Sequence, residues 1–247
     1  MDAPCPPGCL CHVLGQVLSD VLTRPAPCTR RRHPASDPRE IQRKEAMQCQ
    51  NCWISYAHNV KLFRCGGCNI EYYCSKACQK QAWPSHKQKC KLNQRVDTFG
   101  EEKQNSLSLL RAFTSKHRPT LTSLAVCALE LEKDPKRSMD YIVSIPVHTR
   151  RGSKRPETSF FAVDVELQPI DELPQEQAEE MHEQLRLAHE RSVKVGMIGV
   201  LFVMLKCIDT GVANIVPSAF ADDLRQVSRQ DDWKEVHLKR LNEGIVL

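Results

Sequence analysis

Seven cysteines and one histidine fall within the forty-two residues from Cys49 to Cys90, at the spacing of metal ligands. The run reads CQNC, then CGGC after twelve residues, CSKAC after five more and HKQKC after a further seven. Eight soft or borderline donors in four close pairs suit two tetrahedral zinc ions. One ion would take four thiolates, the other three thiolates and an imidazole. The candidate ligands are Cys49, Cys52, Cys65, Cys68, Cys74, Cys78, His86 and Cys90. A single Cys-x-x-Cys is common, whereas four successive pairs at this spacing carry far more information.

Local elements must aim these donors. Cys49/Cys52 and Cys65/Cys68 read as knuckles, tight turns that bring two sulfurs to one ion. Gly66 and Gly67 suit the second knuckle, because glycine reaches backbone angles that a tight turn can require. Cys74 and Cys78 are four apart, with Ser75 placed to cap a helix, so both thiolates are expected on one helical face. His86 and Cys90 repeat the spacing on a second helical turn, which Pro84 is expected to open.

With these residues in view, the segment resembles a MYND-type zinc finger. The resemblance rests on the two knuckles and on Tyr73, Cys74, Ser75, Cys78, Gln79, Trp83, His86, Lys87 and Cys90. Spacing alone leaves sequential and interleaved ligand pairing open. The resemblance implies interleaving: Cys49, Cys52, Cys74 and Cys78 on one zinc, and Cys65, Cys68, His86 and Cys90 on the other. It also implies a role for Gln79 and Trp83, four apart on one helix face. In MYND fingers that bind proline-containing peptides, the matching residues line the groove. An extended peptide has no internal backbone bonds, so an amide and an aromatic plate suit it. The bland alternative makes Trp83 the core of a small module. Peptide-binding members also use a polar residue in the second knuckle, where this chain has Gly66.

Length and composition allow more than a finger. The 247 residues leave room for one further domain, and 41% are hydrophobic. The other cysteines, Cys5, Cys9, Cys11, Cys28, Cys127 and Cys207, form no regular framework. Clustered metal-spaced thiols point to a reducing, intracellular setting, nucleus or cytoplasm. Residues 46–95 carry eight basic side chains and one acidic. Two zinc ions and seven thiolates would lower that surplus from +7 to +4.

Along the chain, residues 1–45 read as a disordered tail. Seven prolines fall there with few apolar positions, and only Val13 to Leu22 suggests a short helix. The cysteines of this tail match no usual metal spacing, and Arg30–Arg32, a run of only three before His33 and Pro34, reads as solvated charge rather than a nuclear address. A finger follows at 46–92, a polar linker at 93–105 and an α+β domain at 106–247. In that domain Leu107 to Phe113 and Leu121 to Leu131 suggest two helices on either side of Pro119. Tyr141 to Thr149 and Phe160 to Gln168 suggest a hairpin. Pro174 opens a helix running to about Val193. Val195 to Leu205, eleven apolar residues, reads as a fully buried strand and is too short to span a membrane. Asp209-Thr210-Gly211 turns into a strand from Val212 to Val216, and Pro217 onward reads as helical. The expected fold class is α+β, with about four antiparallel strands and flanking helices behind the two-zinc finger. This part resembles only the uncharacterised C-terminal regions of other MYND-containing proteins, fungal ones among them.

Three functions compete. A closed zinc site has no open position for water or substrate, so structural zinc and protein–protein interaction are expected, with short proline-containing peptides as partners. Some MYND fingers sit inside SET-domain lysine methyltransferases, but the Asn-His-Ser-Cys core of that domain is absent from this sequence. So are a phosphate-binding glycine loop, a GxSxG elbow and a His-Glu-x-x-His helix, and the chain is not expected to be an enzyme. The third reading is nucleic-acid binding through Lys76, Lys80, Lys87, Lys89 and Lys91. Charge of that kind supports non-specific contact, and no base-reading helix is evident.

Overall fold

A computed structural model describes residues 47–55, 60–94, 100–221 and 231–246. Expectations for the tail, including its prolines, its cysteines and the helix at Val13 to Leu22, lie outside the described residues.

The finger begins with the two knuckles and a small antiparallel pair, β1 (Phe63–Arg64) and β2 (Tyr72–Tyr73). One helix, α1 (Lys76–Gln94), completes it. Ser75 caps this helix as expected, its Oγ accepting from the Cys78 N–H at 3.1 Å. The expected break at Pro84 does not occur: Pro84 lies inside a continuous helix. The proline removes a single backbone donor, while metal ligands before and after it hold the two halves together.

The described residues of the polar stretch 93–105 are largely helical. Residues 93 and 94 end α1, and 101–105 open α2 (Glu101–Lys116). Glu101 and Glu102 in the first turn of α2 favour that start, because negative charge stabilises a helix N-terminus. A short step at His117 leads to α3 (Arg118–Ala128), with Pro119 in its first turn, where proline is tolerated.

The sheet is built from β3 (Tyr141–Thr149), β4 (Phe160–Ala162), β5 (Glu166–Pro169), β6 (Gly199–Cys207) and β7 (Ala213–Phe220). Between β5 and β6 runs α4 (Gln175–Val193), and α5 (Trp233–Glu243) closes the chain. The expected return arm of the first hairpin is broken in two. β4 pairs with one end of β3 and β5 with the other, both antiparallel. The sheet therefore has five strands, not about four, in the order β4-β3-β6-β7 with β5 beside β3. One junction also departs from the antiparallel expectation, since β3 and β6 are parallel. A parallel pair needs a crossover connection, and α4 supplies it.

Strand alternation explains the two cores. Val143, Ile145, Val147, Leu201, Val203 and Leu205 point to one face and pack with Leu110, Phe113, Leu121 and Leu124 of α2 and α3 and Leu241 of α5. Ile142, Val200 and Phe202 point to the other and meet Ala178, Leu185 and Ala188 of α4. A strand covered on both faces has no polar side, which is why β6 reads as an uninterrupted apolar run. Its start is later than expected: Val195 is exposed, and the strand opens at Gly199. The expected helix from Pro217 is also corrected, because β7 continues through Pro217 to Phe220.

The second core contains a residue from the finger. Trp53 is 2% exposed and packs among Ile142, Leu185, Val200 and Phe202 rather than with the finger's own apolar groups. Beside it, the Gln48 side chain accepts from the Ala219 N–H at 3.1 Å and its amide donates back to the Ala219 carbonyl at 3.5 Å. It thus extends the free edge of β7. Arg191 of α4 reaches Ser85 of α1 at 3.4 Å, and Arg111 of α2 donates to Asn93 at 2.7 Å. Trp53→Ala should lower the unfolding free energy of the zinc-loaded chain by about 3 kcal/mol, the usual scale for emptying a buried aromatic site. Urea denaturation measures it, and a loss below about 1 kcal/mol would mean that the indole is not a packing anchor.

Candidate metal centre

The eight expected ligands gather into two groups. Cys49, Cys52, Cys74 and Cys78 form one, and Cys65, Cys68, His86 and Cys90 the other; within each, the donor atoms lie within 4.8 Å of one another. The pairing is interleaved, and the sequential alternative is excluded. In the first group the Cys52–Cys74 sulfurs are 3.6 Å apart and the Cys74–Cys78 sulfurs 3.4 Å. In the second, Cys65 and Cys90 sulfurs are 3.9 Å apart, and His86 Nε2 lies 3.4 Å from Cys65 and 3.6 Å from Cys68. A tetrahedron with zinc–sulfur bonds of ~2.3 Å has edges of about 3.8 Å. The donor sets fit two structural zinc ions, each closed by four protein atoms.

The knuckles share a turn. The N–H of Trp53 donates to the Cys49 carbonyl at 2.9 Å, and the N–H of Asn69 to the Cys65 carbonyl at 2.8 Å. Both residues have left-handed backbone angles, φ 60° at Trp53 and 56° at Asn69. Asparagine tolerates this region, whereas a bulky aromatic does so at a cost. Glycine is needed in the second knuckle for a different reason from the one expected. Neither Gly66 nor Gly67 has positive φ. A Cβ on Gly67 would come within 2.7 Å of Gln94 Nε2 and 3.0 Å of Cys90 Sγ, so close approach to the ligand sulfur is the constraint.

Electrostatics differ between the ligand thiols. Burial, and then the neighbouring Cys78 thiol, push Cys74 up to about 11. Burial likewise raises Cys52 far above the ordinary thiol range. Cys65 behaves otherwise: burial opposes its ionisation, but the N–H groups of Cys68 and Gly67 and the His86 ring outweigh it and bring the thiol to about 6. Gln79 Nε2 donates to the same sulfur at 3.4 Å, and Gln94 Nε2 to Cys90 Sγ at 3.6 Å. Such donors drain charge from a bound thiolate.

A second layer was not anticipated from the ligand spacing. Glu71 Oε2 sits 2.8 Å from His86 Nδ1 and accepts from Tyr73 Oη at 2.6 Å. A carboxylate behind a metal-bound imidazole fixes its tautomer, leaving Nε2 for the metal. Residues 46–95 hold no acidic residue besides Glu71. That solitary carboxylate, two residues from Tyr73, was the available signal.

Trp83 and Gln79 lie one turn apart on α1. Trp83 is 41% exposed and meets His86 edge-on, with ring centroids 6.0 Å apart at 66°. The buried tryptophan in this part of the molecule is Trp53, which replaces the alternative of Trp83 as core. Of the lysines considered for phosphate contact, Lys76, Lys80, Lys87 and Lys91 are exposed. Lys89 instead turns inward, its Nζ 5.8 Å from the Phe202 ring.

Comparison with known proteins agrees with this geometry. Residues 47–90 match the family profile of the MYND finger. This segment is a MYND finger. Such fingers are protein-interaction modules. Histone-lysine N-methyltransferase SMYD3 of Homo sapiens is 46% identical over 43 residues, covering 17% of this chain and 9% of that protein. SET domain and MYND-type zinc finger protein 6 of Schizosaccharomyces pombe is 48% identical over 42 residues, covering 17% and 9%. A SET and MYND domain-containing protein of Dictyostelium discoideum is 32% identical over 81 residues, covering 30% and 15%. The matched segment thus spans a small part of each relative, in the finger region. No solved structure matches the chain. No helix among the described residues is long and apolar enough to cross a membrane.

Removing zinc with a chelator should raise amide exchange through residues 47–90 and also in α4, whose inner face rests on Trp53, while α3 and α5 keep their protection. Unchanged exchange in α4 would show that finger and sheet are uncoupled. Glu71→Gln should weaken zinc at the Cys65–Cys68–His86–Cys90 site by about ten- to a hundredfold, as loss of an outer-layer carboxylate typically does. Competition with a chromophoric chelator reads this, and equal retention of both ions by the variant would remove Glu71 from the metal centre.

Proposed function

We propose that this protein is a binding protein whose MYND finger engages short proline-containing segments of partner proteins at Gln79 and Trp83. The observation that carries the reading is the exposure of Trp83 in a finger whose buried tryptophan is another residue, Trp53. An indole held edge-on against a metal-bound histidine is a rigid plate, and a proline ring packs well against such a plate. Gln79 is fixed beside it by its bond to Cys65 Sγ. Gly66 presents no side chain, and open space surrounds the position of a Cβ there. The polar knuckle contact of peptide-binding relatives is then missing, so affinity rests more heavily on Trp83.

Lysine methylation, the activity named for SMYD3, is not carried over: what is shared with that protein is the finger. Two closed zinc sites favour a scaffold over a catalyst. Clustered thiols at metal-ligand spacing suit a reducing intracellular compartment, nucleus or cytoplasm.

Titration of the full zinc-loaded chain with a panel of proline-containing peptides tests the proposal, with tryptophan fluorescence or amide shifts as the readout. Saturable binding is expected, weakened about tenfold or more by Trp83→Ala, as for an aromatic anchor at an interface. Wild-type affinity in a Trp83→Ala variant that still holds two zinc ions would overturn the proposed surface. Turnover of S-adenosylmethionine on a protein substrate would overturn the non-catalytic reading.

A further inference from the structure

The exposed side of α1 carries a pattern that the peptide reading does not use. Its nineteen residues contain five lysines and no aspartate or glutamate. At about 100° per residue, Lys76, Lys80, Lys87 and Lys91 fall within an arc of about 60°. All four are exposed. Trp83 borders the same arc, midway along its length. At a rise of about 1.5 Å per residue, Lys80 and Lys87 lie about 4.5 and 6 Å along the axis on either side of it, and Lys76 and Lys91 about 10.5 and 12 Å. Lys89, off the stripe, faces Phe202.

We infer that this stripe selects acidic peptides: a proline on Trp83, with carboxylate side chains on both sides of it paired to Lys80 and Lys87 and, farther out, to Lys76 and Lys91. The inference rests on the peptide reading above and adds the charge of the partner. An extended chain advances about 3.1 Å per residue in the polyproline conformation. Peptide carboxylates about two residues before and after the proline therefore meet the inner lysines. Charge complementarity of this kind steers encounter and sets register.

Nucleic acid is the other polyanion the stripe could meet, and the composition of the helix disfavours it. α1 carries one tryptophan and no phenylalanine or tyrosine, hence one stacking plate, whereas single-strand binding uses a succession of them. A short peptide with one proline and a few carboxylates needs only that plate and the lysines beside it.

The test uses the full zinc-loaded chain and three probes: a proline peptide with aspartates on both sides, the same peptide with asparagines in their place, and an oligothymidylate of equal length. Fluorescence anisotropy at low and moderate salt reads affinity. The acidic peptide should bind about tenfold tighter than the neutral one at low salt, and the difference should shrink as salt rises. Lys80→Glu with Lys87→Glu should weaken the acidic peptide about tenfold or more, with two zinc ions still bound. Equal affinity for the acidic and neutral peptides would overturn the inference and leave the proline reading standing. Binding of neither peptide would overturn both. Tighter binding of the oligothymidylate than of the acidic peptide would overturn the acidic-peptide inference in favour of nucleic acid.

Discussion

The structure depends on two interleaved metal tetrahedra. Each ion joins an early knuckle to a late pair of ligands, and the two joins cross along the chain. Neither site can close without bringing the other's ligands near. A segment of about forty residues buries too little apolar surface to hold a unique fold unaided, and metal binding energy fills that role. The finger's own apolar cluster is correspondingly thin, with Met47, Leu62, Tyr73 and Ala82 among the ligand cysteines. α1 tolerates Pro84 for the same reason, because ligands on both sides of the proline are fixed to ions.

That metal framework is also a structural part of the sheet domain. Cys52 is a ligand and Trp53, the next residue, is an anchor in the core beneath α4. The left-handed backbone at Trp53 is what turns its side chain out of the finger and into its neighbour. A bulky residue in that conformation is sustained only when its surroundings over-determine it. Here the Cys49 carbonyl, the ligand sulfur and the apolar pocket between Leu185 and Phe202 do so together. The finger resembles a fourth layer more than a module on a tether.

What was legible in the sequence follows from what is local. Ligand spacing is a consequence of turn and helix geometry, so all eight ligands could be named. Their pairing is a long-range fact, and it followed from resemblance alone. β6 could be seen because burial on both faces removes polar residues from most of the strand, up to Lys206 near its end. Its parallel partnership with β3 could not, since it depends on the long crossover that α4 provides. Pro217 was misread because proline commonly opens a helix. It sits in β7, an edge strand, where a missing backbone donor costs no ladder bond. Glu71 was missed because a lone carboxylate carries no periodic signal, although its solitude in a basic segment is itself unusual.

The two tryptophans show the limit of composition most directly. Both lie within the finger, and a small module needs an aromatic core, a place for which Trp83 was the candidate weighed and Trp53 was passed over. Backbone geometry decides. Trp53 follows a knuckle cysteine and is carried by the left-handed turn into another domain, while Trp83 sits on α1, whose inner face is already filled by Cys78, Ala82, His86 and Cys90. With metal ligands occupying that face, no room is left for an indole among them. Exposure of Trp83 is therefore a consequence of how the zinc is bound, and the lysines beside it determine what kind of surface that exposure becomes.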